Sequence, residues 1–199
     1  MERLPERRVA GRGARGFTLI ELVITIAVMA ILVTLAVPSF NKLTISNALT
    51  TAANDVVISL NLAKLEAVKR NAPTQFCSNS SSSNTSDTLG AKCNTPANQG
   101  TAIYVQTAGG SLSTGTAGAV QVRDVVAGIQ SQQVRVSSAG VTAVRFGGQG
   151  LGYTVGTTTP FTGTVIDICS PLTSSQNHRV VTLTTGTIIT TSTTTGACP

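Results

Sequence analysis

An α+β architecture is predicted, with one long N-terminal helix followed by antiparallel β-sheets. Three features predict it: an apolar run at residues 17–37, an amphipathic stretch at helical spacing that ends near residue 70, and short alternating segments from residue 102 onward. Charged residues make up only 11% of the chain and aromatic ones 4%, with no Trp, so a thin core and long loops are expected. The formal charge of +6 hints at a polyanionic partner, but half of the excess lies in residues 1–16. There Arg3, Arg7, Arg8, Arg12 and Arg15 face only Glu2 and Glu6. In the remainder, nine Lys and Arg face six Asp and Glu, so the basic balance is a weak pointer to nucleic acid.

The run Phe17–Val37 reads FTLIELVITIAVMAILVTLAV and carries one charge, Glu21. At ~1.5 Å per residue, a helix over it spans ~30 Å, the thickness of a bilayer core. The Arg-rich flank stays cytoplasmic by the positive-inside rule, which places the chain after residue 38 outside the cytoplasm. An ordinary secretory signal is cut after its apolar core, at small residues. Here the small residue, Gly16, precedes the core, and Arg7-Arg8 lacks the rest of a twin-arginine signal. A carboxylate about one turn into hydrocarbon costs several kcal/mol unless it finds a partner, which makes Glu21 a candidate functional group. Pro38 has no N–H for the carbonyl of Thr34 and is expected to kink the helix.

The helix is expected to continue past that point. Leu49, Ala53, Val56, Leu60, Ala63 and Ala67 form one apolar stripe at helical spacing, while Thr50, Asn54, Asn61, Lys64 and Glu66 occupy the opposite face. Asn71-Ala72-Pro73 marks the end, giving one helix from Phe17 to about Arg70. So narrow a stripe of small residues suits contact with a sheet. Lys64, Lys69 and Arg70 read as solvated positions, the last two also suited to the negative end of the helix dipole.

Residues 78–101, rich in Ser, Asn, Thr and Gly, read as a loop. Strands are predicted at Ala102–Gln106, Ala119–Val126, Gln133–Ser137, Thr142–Phe146, Gly163–Cys169, Arg179–Thr184 and Thr187–Thr191. Their turns come from Gly109-Gly110, Gly147-Gly148, Gly150 and Gly152. Cys77, Cys93, Cys169 and Cys198 all lie in the part expected outside the cytoplasm, where an even count reads as two disulfides with three pairings open. Zinc is disfavoured, because there is no CxxC pair and His178 is the single histidine. Asp55, Glu66, Asp87, Asp124 and Asp167 show no convergence with His178, which is expected to be exposed in a loop. No phosphate-binding Gly-Lys motif is present. No catalytic site, metal or cofactor is expected.

Gly16-Phe17-Thr18-Leu19-Ile20-Glu21 resembles the class III processing signal of type IV pilins and type II secretion pseudopilins. The resemblance implies a pilin fold, cleavage by a prepilin peptidase between Gly16 and Phe17, and N-methylation of Phe17. It also implies that Glu21 meets the free amine of a neighbouring subunit's first residue, and that Pro38 lies where pilin helices bend. Leu62-Ala63-Lys64-Leu65-Glu66-Ala67-Val68-Lys69-Arg70-Asn71 is similar to the helix end of GspH/FimT-like minor pilins and pseudopilins, departing from it at Leu65, where Ser is usual. Val144-Arg145-Phe146-Gly147-Gly148 resembles the same family's Phe-then-Gly turn. Among the disulfide pairings, Cys77–Cys93 is favoured because it pins the loop to the helix end. Cys169–Cys198 is favoured because it ties down the C-terminal tail and resembles the C-terminal loop of many pilins.

The expected organisation is a leader at 1–16, a transmembrane and assembly helix at 17–38, and a periplasmic domain at 39–199. Within that domain the helix runs to about 71, a loop covers 72–101 and sheets cover 102–199. The expected role is a non-enzymatic minor subunit of a type IV pilus or type II secretion pseudopilus that primes assembly or sits at the tip. Its partners would be other pilin subunits, the peptidase, the inner-membrane assembly platform and inner-membrane lipid. The alternative is DNA binding in natural transformation. Some FimT-like relatives use a Gly-Arg-x-Arg motif, but the matching place here is Gly186-Thr187-Ile188-Ile189, without either Arg. Loss of two phosphate-contacting arginines weakens that reading. It would then rest on Arg123, Arg135, Arg145 and Arg179 sharing one sheet face.

Overall fold

The computed structural model describes residues 16–78, 81–84, 87–94, 100–106, 118–126, 129, 131–137 and 142–199. Residues 1–15 of the expected leader at 1–16, the expected Gly109-Gly110 turn and parts of the 78–101 segment lie outside the described residues.

Helix α1 spans Leu19–Arg70. It starts two residues later than the apolar run because Thr18 caps it: the Thr18 hydroxyl accepts from the Glu21 amide at 3.3 Å and its carbonyl from Leu22 at 3.2 Å. Thr18-Leu19-Ile20-Glu21 has the spacing of a capping box. At the far end, Asn71 adopts a left-handed conformation (φ 47°). The Ala72 amide donates to the Ala67 carbonyl and the Asn71 amide to that of Val68, the two bonds of a Schellman cap. Asn substitutes there for the usual Gly, and Gly148 lies so close that a Cβ on it would stand 2.2 Å from Asn71 Oδ1.

The chain divides into two compact units, residues 1–41 and 42–199. In the first, the described residues carry the apolar part of α1, and every described side chain from Phe17 to Val37 is exposed. α1 is the one helix among the described residues long and apolar enough to cross a membrane.

The second unit holds the rest of α1 and two antiparallel sheets. One sheet has the order β3-β2-β1-β5-β6, built from β1 (Thr74–Phe76), β2 (Ile103–Gln106), β3 (Ala119–Arg123), β5 (Val144–Phe146) and β6 (Gly152–Thr154). The other has the order β4-β7-β8-β9, built from β4 (Arg135–Val136), β7 (Gly163–Cys169), β8 (His178–Thr184) and β9 (Ile188–Thr194). All six residues of the anticipated helix stripe are buried. They share one core with Ile45, with Phe76, Ile103, Val144 and Phe146 of the first sheet, and with Val165, Ile166, Ile168, Val181 and Leu183 of the second. The architecture is α+β and pilin-like, with the amphipathic half of α1 as its spine.

Among the departures from the sequence reading are three strands and a helix. β1, the middle strand of its sheet, lies where a loop was expected, and a short helix α2 (Thr88–Cys93) breaks the same segment. β1 is too short for period two to show and is buried on both faces, Thr74 and Gln75 included. β6 stands where the sequence predicts a glycine turn. Gly152 is there because a Cβ would press on Leu183, Phe146 and the Gly186 carbonyl at 3.0–3.2 Å. β9 extends to Thr194 rather than Thr191.

Candidate assembly surface

Gly16 and Phe17 precede the capped first turn of α1, and Phe17 is 84% exposed. The scissile bond anticipated from the sequence therefore lies outside regular structure, one residue before the cap. Glu21 follows on the first turn. The helical assignment runs through Pro38, which can give no N–H to Thr34. The described side chains of residues 17–37 form an exposed apolar surface.

Farther along α1 the outward face is not the polar one anticipated. Lys64 and Glu66 are half-buried. Ile58, Leu65 and Val68 are 54%, 64% and 50% exposed, so the outward surface mixes these apolar side chains with Asn54 and Asn61. Glu66 accepts from Arg70 Nε at 2.7 Å and stands 3.8 Å from Lys69 Nζ. The Arg70 hydrogen bond, aided by the charges of Lys69 and Arg70, holds the Glu66 carboxyl below its ordinary value. A lowered carboxylate pKa adds stability above the unfolded-state value and loses it as pH falls through the folded one. For an i,i+4 pair at the surface the loss on acidification is expected to be no more than ~0.5 kcal/mol, read from thermal midpoints across that range.

The four arginines proposed as a patch do not share a sheet. Arg123 and Arg145 belong to the first sheet, Arg135 and Arg179 to the second. Arg179 is 8% exposed and ties β8 to α1: Nη1 donates to the carbonyls of Gln176 and His178 at 2.8 and 3.0 Å, and Nη2 to the Ser46 hydroxyl at 3.1 Å. Arg145 pairs with Asp87 and donates to the Gln75 side chain, while Asp87 also caps α2 through the Gly90 amide at 2.9 Å. Arg135 reaches the Pro199 carbonyl at 2.9 Å. At least two of the four are thus internal fasteners. Arg145→Ala is expected to cost ~2–4 kcal/mol, because it strands a half-buried carboxylate and the buried Gln75. Urea denaturation of the variant checks this.

His178 is buried rather than exposed, a correction to the sequence reading. It opens β8 opposite Cys169, and its Nδ1 stands 2.9 and 3.0 Å from the two oxygens of Asp167, one strand away. Gly196 of the C-terminal tail lies over Nε2. Two disulfides close the domain: Cys77–Cys93 joins the end of β1 to α2, and Cys169–Cys198 joins β7 to the tail. Among the described residues, no group of three or more His, Cys, Asp and Glu could hold a metal ion.

The prokaryotic N-terminal methylation motif matches residues 11–37, covering Gly16, Phe17 and Glu21 together with the apolar run. The family described as type II transport protein GspH matches residues 52–187, from the buried half of α1 to the turn before β9. No curated protein matches. No solved structure matches. With a methylation motif on its exposed apolar helix and more than half its length matched by a family of structural subunits, the chain belongs to the GspH family of pseudopilins and minor pilins.

Proposed function

We propose that the chain is cut between Gly16 and Phe17, N-methylated at Phe17 and held in the bacterial inner membrane by residues 17–38. In this reading residues 39–199 lie in the periplasm, and the subunit then passes into a pilus or pseudopilus as a low-abundance component that primes assembly or occupies the tip. The carrying observation is the adjoining of the two matches, a methylation motif ending at residue 37 and a GspH domain beginning at residue 52.

In the membrane, Glu21 needs a partner, and the only groups a pilin array brings to that depth are other subunits. The amine exposed at Phe17 by cleavage is a cation of the required kind. Pairing the two sets the axial step between neighbours while both are shielded from water. Ile58, Leu65 and Val68 would then be covered by the adjoining subunit.

Deletion of the gene is expected to abolish or sharply reduce filament assembly or secretion, and trace-level expression should restore it. In sheared filaments the protein should be a minor band; recovery as the bulk filament component would contradict the assignment. The alternative is DNA binding, against which the division of Arg123, Arg135, Arg145 and Arg179 between two sheets speaks. Gel-shift titration of the full chain in detergent against duplex DNA tests it, and micromolar, salt-sensitive binding would reinstate it.

A further inference from the structure

Arg179 is buried without an acidic partner among the described residues. Its guanidinium donates to the carbonyls of Gln176 and His178 and to the hydroxyls of Ser46 and Thr50, all neutral groups. Such bonds satisfy the donors but leave the charge uncompensated, a costly state away from water. The same guanidinium holds two walls of a pocket of about 310 Å³, Ser46 on α1 and Gln176 on the loop that joins β7 to β8. Lys42, four residues before Ser46 and so on the same side of the helix, lines the pocket too. It also has no acidic partner among the described residues.

The rest of the lining suits an anion. The Ser46 oxygen accepts from Arg179, which leaves its own proton to donate into the pocket. Ser175 and the Gln176 side-chain amide are exposed and add further donors. Gln176 is held at φ 51°, a strained conformation for a residue with a side chain, by its carbonyl bond from Arg179 and its amide bond to the Thr195 hydroxyl. The base of the loop is closed by the Ser170 amide, which donates to the Asn177 carbonyl at 3.0 Å, and by the Asn177 side chain, which donates to the Ser170 carbonyl at 3.3 Å. Donors fixed in this way lose little freedom when a ligand arrives.

We propose that this pocket binds the phosphate of an anionic lipid headgroup, in the periplasmic leaflet of the membrane that holds residues 17–38. The proposal rests on that membrane span. Lys42 follows Val37, the end of the apolar run, by five residues. At helical rise that is ~7.5 Å, and the headgroup layer beyond the hydrocarbon is ~5–8 Å deep. Leu43 of the pocket and Leu172, next to the lining residue Thr173, are 57% and 58% exposed, apolar side chains beside a cationic one as an interfacial contact requires. A carboxylate from a second copy is a poorer fit. Glu66, Asp87, Asp124 and Asp167 are engaged within the chain, and Glu21 lies in the apolar run, which leaves only the half-buried Asp55. Lys42, Leu43 and Ser46 fall between the two matched stretches, 11–37 and 52–187, so neither family description covers this side of the pocket.

The test uses the full chain in nanodiscs of phosphatidylcholine, with or without phosphatidylglycerol, and reads hydrogen exchange over Thr173–Gln176. Phosphatidylglycerol should slow that exchange about fivefold. Lys42→Gln should remove most of the slowing, and Ser175→Asp, which sets a carboxylate in the pocket, all of it. Both positions are exposed, and exchange across the β7–β8 pair checks that the fold is kept. Lys69→Gln makes the same charge change at the far end of α1, on a side chain 75% exposed, and should leave the slowing intact. An equal loss in Lys69→Gln would mean diffuse attraction and overturn the site. Exchange indifferent to phosphatidylglycerol would overturn it as well. Equal protection by inorganic phosphate in phosphatidylcholine discs would reassign the pocket to a soluble anion, and protection that needs other pilin subunits would reassign it to a subunit contact. Failure to insert into either disc would remove the membrane span and this site together, a result distinct from lost headgroup preference in a chain that inserts.

Discussion

Valine at Gly186 is expected to prevent the globular domain from folding. Gly186 sits at φ +69° in the turn between β8 and β9, next to Thr185 at φ 50°. Its amide donates to the Phe161 carbonyl and its carbonyl accepts from the Gly152 amide, each at 2.8 Å, so this turn fastens one sheet to the other. A Cβ there would stand 2.3 Å from the Gly152 carbonyl oxygen, a backbone atom that no rotamer change can move. Left-handed strain in a non-Gly residue costs ~1–2 kcal/mol, more for a β-branched one, and separating the two backbones sacrifices both hydrogen bonds. The sum, ~4–5 kcal/mol, approaches the whole stability of a small domain. Circular dichroism and soluble yield should show loss of the cooperative transition. Thr185→Gly, which relieves strain one residue away, should shift stability by no more than ~1 kcal/mol. A well-folded Gly186→Val protein would mean that the two sheets are not joined through this turn.

Glu21→Val should leave the protein in the membrane and correctly processed, yet remove it from filaments. Replacing a carboxylate by valine makes the helix more comfortable in lipid, so insertion cannot be what is lost. In the proposed function, what disappears is the attraction between Glu21 and the Phe17 amine of a neighbour, which in a water-excluded setting exceeds the surface ion-pair value. Each ~1.4 kcal/mol is a tenfold change in the assembly equilibrium, so a loss of roughly ten- to a hundredfold in filament-associated protein is expected. Comparing sheared filaments with the membrane fraction measures it, and Glu21→Asp should retain part of the effect. Wild-type incorporation of Glu21→Val would dismiss the ion pair.

The long helix and the apolar faces of the larger strands were legible because they repeat. Leu49 to Ala67 recurs at helical spacing and is buried without exception, and Gly163–Cys169 is a strand with the boundaries the sequence indicates. What escaped was decided by contacts distant in sequence. β1 is buried because Arg145 and Asn84 satisfy Gln75 from one side while Phe76 enters the core on the other, and nothing local announces that. His178 looked exposed among Ser and Asn, but the Asp167 that accepts it lies across a strand pair. Arg145 and Arg179 carried the charge of a binding patch and the geometry of fasteners, and charge alone cannot distinguish the two. The residue whose amide donates to the Thr18 cap and the Glu of the anticipated assembly motif are the same, Glu21. The short motif at the helix start therefore sets both the first turn of α1 and, in the proposed function, the contact between subunits.

Removal of a basic leader and exposure of the Phe17 amine are the steps on which the proposed function depends. Intact-mass and N-terminal peptide spectrometry of the protein from its own membranes tests it most directly. The expected mature chain starts at Phe17 with one added methyl group and retains two disulfides. A chain that keeps Met1, or one that begins at any other residue, would contradict it.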